Sequence, residues 1–330
     1  MLQKDKVKKI LNRFDSARIL IIGDLILDEF IWGKADRISQ EAPVPVVWAR
    51  SQSYIPGGAS NVANNIASLG GKASIFGVVG EDKNGSVLFD KLKEKNVDCD
   101  GILTDPLRPT TVKTRIIAAH QQVVRVDWEE ISKLSDDKTV ELTDAVKNKI
   151  KEADAIIIED YGKGVITPRL LKNIISIARK NKKIITVDPK VEHFSYYKGV
   201  TAMTPNEKEA SAGAGIKIHS DEDIDRIGWK LLKSLGMEGL LITLGEKGMK
   251  LFKDGRIDHI PTVAQEVFDV SGAGDTVISV FTLALACGVN MREAAVLSNI
   301  AAGVVVGKVG VAVITKEEIL EAIDRLGSRN

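Results

Sequence analysis

The chain has 330 residues, 44% of them apolar and 28% charged, an ordinary composition for a folded globular protein. Its 46 basic and 45 acidic residues leave a formal net charge of +1, so composition offers no electrostatic case for nucleic-acid or bulk membrane binding. Any phosphate site must be a local arrangement. Cys99 and Cys287 lie far apart in apolar settings, which points to a reducing compartment and away from a zinc site. The length allows two small domains or one large α/β domain.

The N-terminal MLQKDKVKKILNRF lacks the apolar core of a signal peptide. Val7, Ile10, Leu11 and Phe14 instead form a helical stripe that predicts packing on the domain rather than on a membrane. No apolar run reaches the length of a membrane-spanning helix, and the expected location is cytoplasmic. Further along, RILIIGD, ASIFGVVG, AIIIEDYG, KIITVDPK and GLLITLG are short β-branched runs of the kind that form strands buried on both faces. Between them, SNVANNIASLG, GSVLFDKLKEKN, TPRLLKNIISIARKN and DIDRIGWKLLKSLG have helical period. Ser60 or Asn61 and Thr167-Pro168 are predicted helix starts, and Gly70 and Gly236 predicted stops. This alternation implies βαβ units and a mainly parallel sheet.

Residues 29–50 and 107–128 break the rhythm. Both are β-rich, alternate with polar residues and hold no helix between strands. They read as two insertions within one domain spanning 1–330, forming a separate antiparallel lid over the carboxyl ends of the parallel strands. The lid's open edge favours pairing with a second copy, as a homodimer.

Polar residues cluster where strands end, the edge at which open α/β sheets bind ligands. These are Gly23, Asp24 and Asp28; Glu159, Asp160 and Lys163; Asp188 and Lys190; and Asn206 and Glu209. One such end is explained by a helix cap or turn; four pointing the same way mark a site. Gly57-Gly58 before Asn61 permits close backbone approach to a ligand, with Asn61 able to donate and accept; a plain loop and cap fits equally. Thr243, Gly245 and Gly248 suit nucleotide phosphates or a hairpin.

The run Asp269-Val-Ser-Gly-Ala-Gly-Asp275 delivers a glycine turn onto the start of an apolar helix. Unpaired N–H groups and the helix dipole make such a start an anion hole. A carboxylate there repels a resting phosphate, which is explained if Asp275 takes a proton from an attacking hydroxyl. A tight turn with a capping Asp accounts for the same run. There is no GxxxxGK[ST] and no GxGxxG after a strand, and His120, His193, His219 and His259 are scattered without metal spacing.

From GDLILD through GGASNVA, GVVGEDKNG, NEKE and TLGEKG to DVSGAGDT, the chain resembles the ribokinase-like (PfkB) carbohydrate kinases along nearly its whole length. The resemblance implies a three-layer α/β/α fold with a β-rich lid, and ATP-dependent sugar phosphorylation with Mg²⁺. It implies that Asp275 is the general base and that Gly272, Ala273 and Gly274 form the anion hole. Asp28, Gly57, Gly58 and Asn61 would hold the sugar. Asn206 and Glu209 would position Mg²⁺ mainly through water, Asn206 standing beside the nucleotide as well. Thr243, Gly245 and Gly248 would meet the phosphate tail, and Asn299 and Gly303 would border adenine.

Within the family, RISQEAPVPVV, PGGASNVANNIASLG, RPTTVKTRIIAAHQQVVRVDWEE, EDYGKGVIT, TVDPK and AAGVVVGKVG resemble one branch. That branch phosphorylates the anomeric hydroxyl of D-glycero-D-manno-heptose 7-phosphate on the way to ADP-heptose and lipopolysaccharide core. Gln40 stands where the branch more often has Pro, and Val280 where the family usually has a small residue. No HxGH-type nucleotidyltransferase motif occurs, so the resemblance implies a kinase alone. A phosphorylated sugar needs a docking cation: Arg37, Lys113, Arg115, Arg125, Lys163 and Lys190 are candidates, with Lys163 and Lys190 preferred because they follow buried strands. The competing readings are a kinase for another sugar or sugar phosphate and a non-catalytic sugar-binding protein.

Overall fold

A computed structural model of the chain describes residues 2–118, 121–264, 267–308 and 310–327; His120 lies outside them. The strands are β1 (Arg18–Gly23), β2 (Leu25–Ile38), β3 (Pro45–Gly58), β4 (Lys72–Gly80), β5 (Asp98–Asp105), β6 (Thr111–Ala118), β7 (Gln121–Trp128), β8 (Ala155–Glu159), β9 (Ile184–Asp188), β10 (Ala202–Met203), β11 (Gly239–Thr243), β12 (Met249–Lys253) and β13 (Arg256–Ile260). The α-helices are α1 (Lys4–Arg13), α2 (Ala59–Ser68), α3 (Lys83–Lys93), α4 (Asp136–Lys149), α5 (Pro168–Lys180), α6 (Glu207–Ala214), α7 (Asp221–Leu235), α8 (Ala273–Ala286), α9 (Met291–Val305) and α10 (Lys316–Gly327).

The predicted β-branched runs line up side by side. A nine-stranded sheet has the order β13-β12-β11-β10-β9-β8-β1-β4-β5; β11 through β5 are parallel, and β12 and β13 extend one edge antiparallel. Alternation along β1 sends side chains to opposite faces. Ile19 and Ile21 join a core with α1, α2, α8, α9 and α10, whereas Leu20 and Ile22 join another with α4, α5 and α7. Two helical layers thus sandwich one sheet. Val7, Ile10, Leu11 and Phe14 are all buried, which docks the N-terminal helix on the domain. No described helix is long and apolar enough to cross a membrane.

Helix ends follow their side chains. Thr167 Oγ1 accepts the Leu170 N–H at 3.2 Å, and Pro168 occupies the first turn where no N–H is needed. Gly236 closes α7 at φ +61°. The start of α2 differs from the expected Ser60 or Asn61. The helix begins at Ala59 because Gly58, at φ +55°, turns the backbone, and a Cβ there would sit 2.7 Å from Asp24 O.

The inserted segments belong to a four-stranded sheet of order β3-β2-β6-β7. It is not wholly antiparallel as expected: β2 and β6 run parallel at its centre, while the outer pairs are antiparallel. The reason is topological. β2 leaves β1 and β6 leaves β5 at the same edge of the large sheet, so both run outward in one direction. Every residue of β7 is exposed, on both faces of the strand.

Candidate active site

Parallel register places Gly23, Glu159 and Asp188 next to one another at the carboxyl edge. Asp24 follows and is buried. Its carboxylate accepts the N–H groups of Tyr161 (2.9 Å), Lys163 (3.1 Å) and Val165 (3.1 Å). Burial, then the neighbouring Asp160 charge, push the Asp24 pKa up to about 6 despite these donors. Asp24 therefore fixes the loop that carries Tyr161.

At the start of α8, Gly272 adopts φ +78° and is the residue before the first turn. Among the described residues, the N–H groups of Gly272, Gly274 and Asp275 meet no acceptor, whereas that of Ala273 donates to Val270 O at 3.2 Å. Free N–H groups at a helix start favour an anion. Asp275 lies beside them, 4% exposed. It accepts from Asn61 Nδ2 at 2.6 Å and from the Tyr161 hydroxyl at 2.9 Å. Burial outweighs those two donors and raises its pKa above the usual carboxylate value. Asn61 is itself held: Asn65 Nδ2 donates to Asn61 O at 3.0 Å, and Thr276 Oγ1 to Asn65 Oδ1 at 3.3 Å, which ties α2 to α8.

The lid faces this carboxylate. Asp28 on β2 is buried and paired with Arg115 on β6. Gly57 on β3, paired with Ile26, sits diagonally beside it, where a Cβ would overlap Asp28 Oδ2, so glycine suits the approach. Lys113 is close enough to Asp28 and Asp275 for their charges to be felt, and its ammonium lies 5.0 Å from the centre of the Tyr161 ring. Burial lowers its pKa. Among the described residues the Lys113 ammonium makes no hydrogen bond or ion pair, unlike Arg125, whose guanidinium holds Asp127 at 2.8 Å and 3.0 Å. The ammonium of Lys163 lies 2.7 Å from the Glu129 carboxylate, and the Lys190 stem packs over Gly162 with its charge toward Glu209.

On the other side of α8 a cavity of about 450 Å³ gathers Thr243, Gly245, Gly248, Asn299 and Gly303 against Ala273 and Gly274. Asn299 Nδ2 donates to Pro261 O at 2.8 Å, holding the chain that forms one wall. Asn206 pairs with Thr243 as an isolated bridge. Asn206 and Glu209 bind each other in a capping box: Asn206 Oδ1 accepts the Glu209 N–H and Glu209 Oε2 the Asn206 N–H, both at 2.9 Å. Asp275 thus stands between the lid residues Asp28 and Lys113 and this cavity, beside free N–H groups. That arrangement suits in-line transfer of an anionic group to a hydroxyl. Sequence reasoning did not single out Tyr161; its hydroxyl reaches Asp275 only through a loop fold that Asp24 dictates.

Residues 16–318 match the model of the pfkB family of carbohydrate kinases. A relative from Geobacter sulfurreducens, named bifunctional protein HldE, is 44% identical over 323 residues, covering 98% of this chain and 66% of its own. The protein of the same name from Nitratiruptor sp. is 47% identical over 307 residues, 92% of this chain and 64% of its own. The chain therefore spans just under two thirds of the length of these relatives. Among solved structures, Escherichia coli phosphofructokinase-2 in complex with potassium superposes with a TM-score of 0.80 at 20% identity, over 94% of this chain and 99% of that one. Arabidopsis thaliana ribokinase, complexed with ribose and ATP, gives 0.73 at 20% identity, over 93% and 99%. Both share the ribokinase-like fold. The chain belongs to the pfkB family of carbohydrate kinases and is a phosphotransferase that uses an alcohol group as acceptor.

Proposed function

We propose that the chain transfers the γ-phosphoryl group of ATP to the anomeric hydroxyl of D-glycero-D-manno-heptose 7-phosphate, giving the 1,7-bisphosphate in the synthesis of ADP-heptose for lipopolysaccharide core. The observation that carries the chemistry is Asp275, a buried carboxylate held by Asn61 and Tyr161 beside unpaired helix-start N–H groups. The heptose assignment rests on the segments shared with heptose-7-phosphate kinases, and the relatives named HldE support it. The ribokinase solved with ATP supports ATP as donor.

In this reading Asp275 accepts the hydroxyl proton, and Gly272, Ala273 and Gly274 shape the hole that receives the transferring group. Asp28, oriented by Arg115, and Asn61 bind sugar hydroxyls, while Gly57 and Gly58 let the backbone approach the ring. Thr243, Gly245 and Gly248 meet the phosphate tail, and Asn299 and Gly303 bound the base. The donor set of Asn206 and Glu209 fits Mg²⁺ held through water: their mutual bonds leave Glu209 Oε1 as a hard acceptor at the same sheet edge. Bound with ATP, Mg²⁺ neutralises charge on the phosphates. Phosphoryl transfer needs positioning and charge neutralisation more than covalent chemistry, which is what these residues offer. Lid closure over Asp28 and Asp275 keeps water from the donor.

Lys163 and Lys190 are proposed contacts for the substrate's own phosphate. Lys113 joins them because it is half-buried on the lid near Asp28 with no ion pair of its own among the described residues. The test is ATP consumption against a panel of free sugars and sugar phosphates. We expect heptose 7-phosphate to be preferred, and Lys113→Met to cut the preference for phosphorylated over free sugar by about ten- to a hundredfold, the worth of a charge-assisted contact. Preference for free ribose or another hexose would overturn the heptose assignment and leave a sugar kinase; no turnover with any sugar would overturn both.

The lid also supports a homodimer. Trp48 and Trp128 are each 62% exposed on it, and β7 offers an uncovered edge. Sedimentation should give twice the chain mass, and Trp128→Lys should shift the equilibrium toward monomer. A wild-type monomer at micromolar concentration would end this reading.

A further inference from the structure

Arg108 stands where the chain crosses from the large sheet to the lid, in the turn between β5 and β6. The turn itself is fixed: the Thr110 N–H and hydroxyl both donate to Asp82, each at 2.8 Å. One nitrogen of the half-buried Arg108 guanidinium, Nη2, donates to Glu130 O at 3.0 Å and to Lys163 O at 2.8 Å, with Ser132 O at 3.5 Å. Glu130 and Ser132 belong to the segment that returns from β7 to α4, and the Leu134 N–H in that segment donates to Gly164 O at 2.9 Å. The two chain crossings between lid and sheet, before β6 and after β7, therefore meet on the loop over 160–165. That loop is gripped from two sides. Asp24 takes the N–H groups of Tyr161, Lys163 and Val165, whereas Arg108 and Leu134 take the carbonyls of Lys163 and Gly164. Bonds to Asp24 alone would leave the loop free to turn about that carboxylate; the carbonyl contacts remove this freedom. What the loop delivers is the Tyr161 hydroxyl, which donates to Asp275 Oδ1 at 2.9 Å. Asp275 needs its donors: carboxylate oxygens of Glu159 and Asp188 lie within 4.8 Å of one of its own, and negative charge on either pushes it away.

We propose that Arg108 is a positioning residue for phosphoryl transfer: by fixing the Lys163 carbonyl it sets the Tyr161 hydroxyl on Asp275, and so aims Asp275 at the acceptor hydroxyl. Among the described residues Arg108 makes no hydrogen bond to Asp275, to Asn61 or to Tyr161, so its effect on rate passes through the loop. A cationic donor holds a carbonyl more firmly than a neutral one, which suits a contact that must keep a loop in register. The inference rests on the reading of Asp275 as the base. A base held out of line loses transition-state stabilisation more than ground-state binding, so the effect belongs to kcat rather than to KM.

The test is a double-mutant cycle on the full chain, with ATP and the sugar of the panel above that wild type turns over fastest. Arg108→Met and Tyr161→Phe should each lower kcat about tenfold, the lower end of the worth of a hydrogen bond to a charged group, with KM for either substrate changing less than about threefold. Both remove one and the same interaction, so the double variant should fall less than about threefold below either single one. All three carbonyls sit on one nitrogen of Arg108, so a point charge can stand in for the fork: Arg108→Lys should recover at least about a third of the wild-type rate. Losses that multiply to about a hundredfold in the double variant would overturn the proposal. So would a Tyr161→Phe protein within about twofold of wild type. Tyr161→Phe adds no atoms and keeps the ring beside Lys113, so that outcome can be read whatever Arg108→Met does to the fold. Asp275→Asn judges the base separately. If it loses its rate while Tyr161→Phe does not, the base stays and the positioning role falls; if it keeps its rate, the base reading itself falls.

Discussion

Replacing Asp275 by Asn should lower kcat by about 10²–10⁴-fold, the usual cost of losing a general base. The fold should survive. An Asn at this position can still present its carbonyl oxygen to Asn61 Nδ2, and its amide can face a Tyr161 hydroxyl turned to accept. The substitution also removes one charge from a buried group of three carboxylates, so the melting temperature should stay level or rise. Rate and melting curve measured together separate loss of chemistry from loss of structure. A folded Asp275→Asn protein that keeps more than about a third of wild-type turnover would remove Asp275 from the role of base, given that range.

The large sheet was legible because its strands are buried on both faces. Runs such as AIIIE and GLLIT carry no polar alternation, and only a parallel sheet between two helical layers accommodates them. The glycine turn before Asp275 was legible for a local reason too, since Gly272 adopts a positive φ that disfavours other residues. What could not be read was convergence. Glu159 and Asp188 are both visible as polar strand ends, but their contact follows from the register of β8 against β9, which sequence does not encode locally. The parallel pairing of β2 with β6 is a consequence of where two distant strands leave the sheet. Among cations, position after a buried strand favoured Lys163, yet what distinguishes it from Lys113 is a carboxylate partner 34 positions away, at Glu129. Asn206 and Glu209 show a further limit. Asn-x-x-Glu is itself a capping-box pattern, so the motif has a complete structural explanation alongside its proposed part in holding a metal.

Gly274→Val should be nearly as damaging to turnover as loss of the base, with far less cost to stability than a core change. Gly274 is the second residue of α8, and its N–H is one of the three that meet no acceptor among the described residues. A Cβ there finds only Asp188 Oδ2 at 3.5 Å, ordinary contact, and Val is a better helix former than Gly by a few tenths of a kcal/mol. The backbone therefore tolerates the change. The γ-methyl groups, however, project beside the N–H that the transferring phosphoryl group must reach, and obstructing one such donor costs about 10²–10³ in kcat. Gly272 cannot serve the same test: at φ +78°, with Asn61 Nδ2 3.0 Å from any added Cβ, a side chain there strains the fold and disturbs the group that holds Asp275. The expected signature of Gly274→Val is a melting temperature within a few degrees of wild type and a rate at least a hundredfold lower. A folded variant turning over within about threefold of wild type would show that the phosphoryl group does not pass the start of α8.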